Sequence, residues 1–202
     1  MSGGLVWLLV GLGLGVLVVR RRSLAVALVT VQALVLAAAA ANAANGADAA
    51  AAAALAVRAV ALGALLLFVV SRTREPRPVR AGIAPLARGG LAVALALALT
   101  WLIPSFGLDS RNVERGVIAL VAFGVATVAM RRATLFHVLG IVLAENGLAL
   151  AALRLPSGSS FAIELGVAFD LTLVALVAAV FHERIFAEFG AGDSAALRTL
   201  RD

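Results

Sequence analysis

The sequence predicts an all-α integral membrane protein, a bundle of about seven transmembrane helices with its amino terminus outside and its carboxy terminus in the cytoplasm. Of the 202 residues, 63% are apolar, against about 45–50% in a typical soluble domain. The apolar residues run in long stretches interrupted by short charged patches, the layout of membrane spans rather than of one oversized core. The arginines divide unequally between the two sets of connections, as the positive-inside rule requires.

The helices are expected near residues 4–19, 24–41, 48–70, 90–104, 113–130, 133–153 and 160–181. The first ends in Arg20, Arg21 and Arg22; it lacks a positive n-region and its charges follow the apolar run, so it reads as a span rather than a cleavable signal peptide. Gly11 and Gly15 within it form a small-xxx-small pair suited to close helix approach. The second and third spans are rich in alanine, which also permits close approach, and Asn42, Asn45, Gly46 and Asp48 form the outer turn between them. The segment Ser71–Gly90, with Pro76, Pro78 and Pro85, reads as the one long cytoplasmic loop. The fourth span is short and stops at Pro104, and the fifth has only the uncharged stretch Gly116–Met130 unless Glu114 and Arg115 snorkel. After the seventh span, HERIFAEFG continues as helix, Gly190 and Gly192 break it, and Asp193 or Ser194 caps a short polar turn. Three regions result: a four-helix region over 1–112, a three-helix region over 113–181 and a cytoplasmic tail over 182–202.

Charge parity supports this count. With the first helix running inward, the cytoplasmic connections and tail hold Arg20, Arg21, Arg22, Arg72, Arg74, Arg77, Arg80, Arg88, Arg131, Arg132, Arg184, Arg198 and Arg201. The outer connections hold Arg111, Arg115 and Arg154, and Arg58 lies inside a helix. Removing one span would scatter the arginine-rich loops over both sides. The formal charge of +6 therefore belongs to topology, and no nucleic-acid partner is expected. There is no cysteine, which excludes a disulfide framework, thiolate ligands for an iron–sulfur cluster and a thiol nucleophile. His137 and His182, both in the inner half, carry no haem assignment without a further motif. There is no phosphate loop, no zinc-type histidine spacing and no nucleophile–base pair, and no cofactor or metal is expected.

Ionisable groups at membrane depth are the informative residues, because each costs about 2.5–3.5 kcal/mol on insertion scales and is retained for function or pairing. At 1.5 Å per residue, Arg58 lies ~15 Å from the outer end of its helix, Glu145 ~12 Å and Asp170 ~15 Å, all near the midplane. Glu164 is ~6 Å from the outer face and His137 ~6 Å from the inner one. The set is spaced as a proton relay would be, with water filling the gaps. A low-dielectric bundle favours the neutral carboxylic acid and a nearby arginine favours the carboxylate, so a group held between the two can take up and release a proton. The equally economical alternative is static: Arg58 pairs with Glu145 or Asp170 and holds helices together. Glu164 and Asp170 stand about 120° apart around their helix and share no stripe; His137 and Glu145, about 80° apart, can line one face.

The stretch RATLFHVLGIVLAENG, residues 132–147, followed by IELGVAFD at Ile163–Asp170 and by the tail GDSAALRTLRD, resembles component E of hydrogenase-4 and related complexes. The fragment Glu145–Gly147 is the most specific part. The resemblance covers the last third of the chain; the first two-thirds are similar only in length and helix count. That family is in turn similar to the three-helix 4L subunit of NADH dehydrogenase (complex I) and to the three-helix C component of multisubunit cation–proton antiporters. The resemblance implies that Glu145 and Glu164 take the places of glutamates implicated in proton movement, and that Asp170 matches the aspartate closing the hydrogenase-4 motif. Arg58 has no counterpart in the three-helix proteins. The expectation is a non-catalytic subunit, without a redox centre, of a hydrogenase-4-like or formate hydrogenlyase-like complex in a bacterial plasma (inner) membrane. Its partners would be antiporter-like membrane-arm subunits and a nickel-iron hydrogenase-like peripheral module. Glu145 would be the central relay, Glu164 and Asp170 would pass charge to it, Arg58 would tune them and His137 would connect to the cytoplasmic side. The alternatives are a purely structural scaffold and a subunit of a cation–proton antiporter.

Overall fold

A computed structural model of the chain describes residues 3–43, 49–72, 83–105, 107–108 and 110–154. They form α1 (Gly3–Val18), α2 (Arg22–Ala43), α3 (Ala49–Arg72), α4 (Pro85–Leu102), α5 (Arg111–Met130) and α6 (Thr134–Ala152). Five of these, α2 to α6, are long and apolar enough to cross a membrane, and α1 is a shorter apolar helix of 16 residues. The expected seventh helix and the tail, with Glu164, Asp170 and His182, lie outside the described residues.

Five of the six helices begin and end within two residues of where the hydropathy pattern puts them; α4 starts five residues early, inside the expected cytoplasmic loop. Pro85 explains the early start, because its fixed φ suits the first helical position and its missing N–H has no partner to lose there. The helix stops at Leu102 because Ile103 precedes Pro104 and adopts extended backbone, φ −87° and ψ 121°. The extension carries Arg88, expected in a loop, into the first turns of α4, where it is fully buried.

Helix α5 also spans more than its uncharged stretch. Ser110 caps it, its hydroxyl accepting from the Asn112 N–H. Glu114 does not snorkel: it is buried, and its Oε1 accepts from the Gly107 N–H at 3.0 Å, the Leu108 N–H at 3.2 Å and the Ser105 hydroxyl at 3.2 Å. One carboxylate thus satisfies the backbone of the α4–α5 connection, where Gly107 at φ +80° makes the turn. Arg115 faces out.

Helices α5 and α6 form the most extensive pair, followed by α2 and α3. The α5–α6 crossing is set by glycine. A Cβ on Gly124 would lie 2.5 Å from the Gly140 carbonyl oxygen, and one on Gly140 would lie 2.7 Å from that of Gly124. Gly147 meets the backbone of Val117 further along the same crossing. Small residues are how membrane helices reach backbone contact without a hydrophobic drive between them. The alanine-rich α2 and α3 approach closely too: a Cβ on Gly63 would strike the Thr30 side chain. In α1 the packing glycine is Gly13, which faces Leu143, Leu120 and Gln32; Gly15 meets Leu28, but Gly11 has nothing near it and does not serve as a packing position.

Two apolar clusters fill the bundle. One joins α1, α4, α5 and part of α6 around Leu9, Leu120, Phe123, Leu143 and Leu150; the other joins α2, α3 and the first half of α6 around Val26, Leu66, Phe136 and Leu139. Residues on both sides of the 112/113 boundary therefore share the same core, α1 packing on α5 and α2 on α6. The outward faces carry Val57, Val60, Leu86, Leu97 and Leu102, and the exposed Trp7 and Trp101 lie toward the end of the bundle opposite the arginine-rich one, the position of an interfacial aromatic belt.

Gly140→Val should lower the stability of the detergent-solubilised chain by about 1–3 kcal/mol through overpacking against the α5 backbone. The same change at Gly11 should leave the thermal midpoint close to wild type.

Candidate functional site

The bundle interior holds a layer of polar groups contributed by four helices, each toward the middle of its helix. Arg58 on α3 and Glu145 on α6 form an ion pair, Nη1 to Oε1 at 2.8 Å, with side chains 6% and 11% exposed. At the same depth, the Asn146 amide donates to the Gln32 carbonyl oxygen at 2.9 Å, and the Gln32 amide donates to the Leu9 carbonyl oxygen at 2.8 Å. Gln32 and Asn146 are both buried. The chain of bonds therefore runs from α6 through α2 to the α1 backbone.

Local sequence explains why these side chains meet. Successive residues on a helix point about 100° apart, so Glu145 and Asn146 leave α6 toward different neighbours, Glu145 toward α3 and Asn146 toward α2. Helix α3 packs on α2 rather than on α6, so only long side chains bridge the gap between α3 and α6. Arginine and glutamate have that reach. Gly13 on α1 leaves room for the Gln32 amide, which would lie 3.3 Å from a Cβ there. The Gln32 bond to the Leu9 carbonyl is an added bond to an already helical backbone, of the kind that joins helices in membranes.

Of the residues expected from depth alone, the structure brings Arg58 and Glu145 together and thereby selects Glu145 as the partner of Arg58 among the described residues. His137, in the first turns of α6, is half-buried and stands about 12 Å along the helix from Glu145, eight residues at 1.5 Å each. It does not touch the pair. Glu164 and Asp170 lie outside the described residues. Charge and depth do not single out Gln32 and Asn146, because neither carries a formal charge. The signal that could have found Gln32 is its isolation: it is the only strongly polar residue between Thr30 and Asn42 in an otherwise alanine- and leucine-rich run. Among the described residues, no group of three or more histidine, cysteine, aspartate or glutamate side chains is placed to hold a metal ion.

Chemically, the layer couples one exchangeable charge to fixed dipoles. A carboxylate facing a guanidinium in a low-dielectric interior interacts strongly, and protonating it leaves the cation without its counter-charge. The Gln32–Asn146 pair supplies donors and acceptors beside it that need no proton of their own.

Arg58→Ala should destabilise the chain by about 3–5 kcal/mol, because Glu145 loses its buried counter-charge. The double change Arg58→Ala with Glu145→Ala should recover part of that loss in thermal unfolding; strictly additive losses would mean the two side chains are not coupled. No family model, curated protein or solved structure matches this chain.

Proposed function

We propose that this chain is a non-catalytic membrane subunit of a hydrogenase-4-like or formate hydrogenlyase-like respiratory complex of a bacterial plasma membrane, oriented with its arginine-rich end toward the cytoplasm. Its role is to pack between antiporter-like subunits and to contribute a step of proton (or cation) movement at mid-bilayer. The observation that carries this reading is the buried Arg58–Glu145 pair. Membrane interiors retain such charges where they move ions or protons or bind one another, and Glu145 is also the residue on which the resemblance to component E is most specific. Oxidation of hydrogen or formate belongs to partner subunits, since this chain has no cysteine to hold a cluster.

In this reading Glu145 accepts a proton, loses its attraction to Arg58 and passes the proton on when the pair re-forms. Glu164 and Asp170 are the further carboxylates of the path, and His137 serves the cytoplasmic side through water, given its distance from Glu145. Arg58 sets the resting charge state of Glu145.

A scaffold reading is favoured by a different observation. Gln32 and Asn146 satisfy each other and tie α6 and α2 to α1, which is a register device with nothing to titrate. Glu145→Gln separates the two. A relay predicts that the variant assembles with its partners, as read by mild-detergent pull-down and mass spectrometry, but that the assembled complex stops moving protons across vesicle membranes. Unchanged proton movement in an assembled complex would eliminate the relay, and loss of assembly would assign Glu145 to the scaffold.

A further inference from the structure

The arginine-rich end of the bundle contains a second buried polar cluster that the mid-bilayer layer does not use. Helix ends α1, α4, α5 and α6 meet there: Gly89 at the start of α4 faces Val18 at the end of α1, and the Arg131 guanidinium donates to the Val19 carbonyl oxygen at 2.8 Å. Arg131 also lies over the Phe136 ring, 3.4 Å from its centroid. Arg88 and Arg22 both act electrostatically on Arg131, and Arg20 acts on Arg88. Arg88 precedes Gly89 and Arg20 and Arg22 follow Val19, so these contacts bring the four arginines to one end of the bundle.

Among the described residues no carboxylate lies at this end of the bundle. The only described carboxylates are Glu114, at the opposite end, and Glu145, at mid-depth with Arg58. Arg88 is fully buried, and among the described residues none of its three guanidinium nitrogens has a hydrogen-bond partner. Burial first, then Arg88 and then Arg22 pull the Arg131 pKa down to about 9. An unpaired buried guanidinium is among the most costly groups a protein can hold. Its cost is offset when an anion of matching geometry binds, and a guanidinium fork matches the oxygens of a phosphate.

We propose that Arg88 and Arg131, flanked by Arg20 and Arg22, form a binding site for a phosphate-bearing anion, the phosphodiester headgroup of an anionic phospholipid. The position favours this ligand. The cluster sits where helices end, which is the depth of lipid headgroups in a bilayer, and basic pockets between transmembrane helices at such ends hold anionic headgroups. Arg20 is exposed and Arg22 half-buried, so a headgroup approaches past these two and reaches Arg88 and Arg131 beneath. The acyl chains then lie along the apolar outer face of α4, where Leu86 is largely exposed.

The test uses the full chain in mild detergent, stripped of lipid, with phosphatidylglycerol, phosphatidylcholine and inorganic phosphate added separately. Native mass spectrometry reads stoichiometry and thermal unfolding reads stabilisation. Wild type should retain phosphatidylglycerol at about one per chain and gain thermal stability from it, phosphatidylcholine doing markedly less. Arg88→Gln should weaken phosphatidylglycerol binding by ~tenfold or more, the loss of charge-assisted bonds. It should also leave the lipid-free thermal midpoint unchanged or higher, because a buried unpaired charge has gone. Arg88→Lys should keep part of the binding, and Arg115→Gln, at the opposite end, all of it. If Arg88→Gln does not fold, Arg131→Gln against wild type carries the same comparison. Stabilisation by inorganic phosphate equal to that by phosphatidylglycerol supports the anion site and assigns it to a soluble ligand. Equal response of wild type and Arg88→Gln to phosphatidylglycerol, equal effects of the two lipids, or a lipid-free midpoint lowered by Arg88→Gln would each overturn the proposal, the last by revealing a protein carboxylate as the partner.

Discussion

Gly124 and Gly140 bring the backbones of α5 and α6 into contact, and the placement of the other helices follows from that approach. In lipid there is no hydrophobic drive for one apolar helix to prefer another over an acyl chain, so association depends on dispersion at close range and on a few polar bonds. Glycine on both sides of the crossing gives the shortest range. With α5 and α6 joined, they become the most buried helices of the described bundle, and α1, α2 and α4 pack around them. Helix α3 reaches the centre mainly through α2 and through one long side chain, Arg58.

The polar groups inside this bundle fall into two contrasting sets. At mid-depth every partner is supplied by the protein: Arg58 has Glu145, Asn146 has Gln32, and Gln32 has the Leu9 carbonyl. Glu114 is likewise engaged with the α4–α5 connection. At the arginine-rich end the balance is one-sided, with Arg88 and Arg131 buried and no described carboxylate near them. The difference follows the dielectric environment. A charge at the bilayer centre has no source of compensation except protein, whereas a charge at headgroup depth has lipid phosphates within reach. A single bundle can therefore keep a self-contained charge pair at its centre and an outward-looking cation cluster at its end.

The centre pair and the end cluster are separated along the bundle and share no residue. Asn146 and Gln32, which do not titrate, tie α6 to α2 beside Glu145.

Much of this architecture is legible in the residues alone. Hydropathy places the described helices, with an error confined mainly to the start of α4, because a run of apolar residues long enough to span has no other stable state in lipid. Counting residues along each helix places Arg58 and Glu145 at the same depth, since the rise per residue is fixed. What the pattern does not carry is rotation about each axis and choice of neighbour. In a segment that is apolar on all sides, no amphipathic stripe marks the inward face. For that reason the packing glycine of α1 is Gly13 rather than Gly11, and Arg58 meets Glu145 although Asp170 is an equal candidate by depth. For the same reason nothing in the residue pattern marks Gln32 as the partner of Asn146. Arg88 has the look of a loop charge, and only the helix start at Pro85 carries it inside. Composition and spacing alone establish a helical membrane protein with charges at stated depths and a basic end. Which of those charges meet is a matter of tertiary structure, because pairing depends on helix rotation, which close packing sets and composition does not.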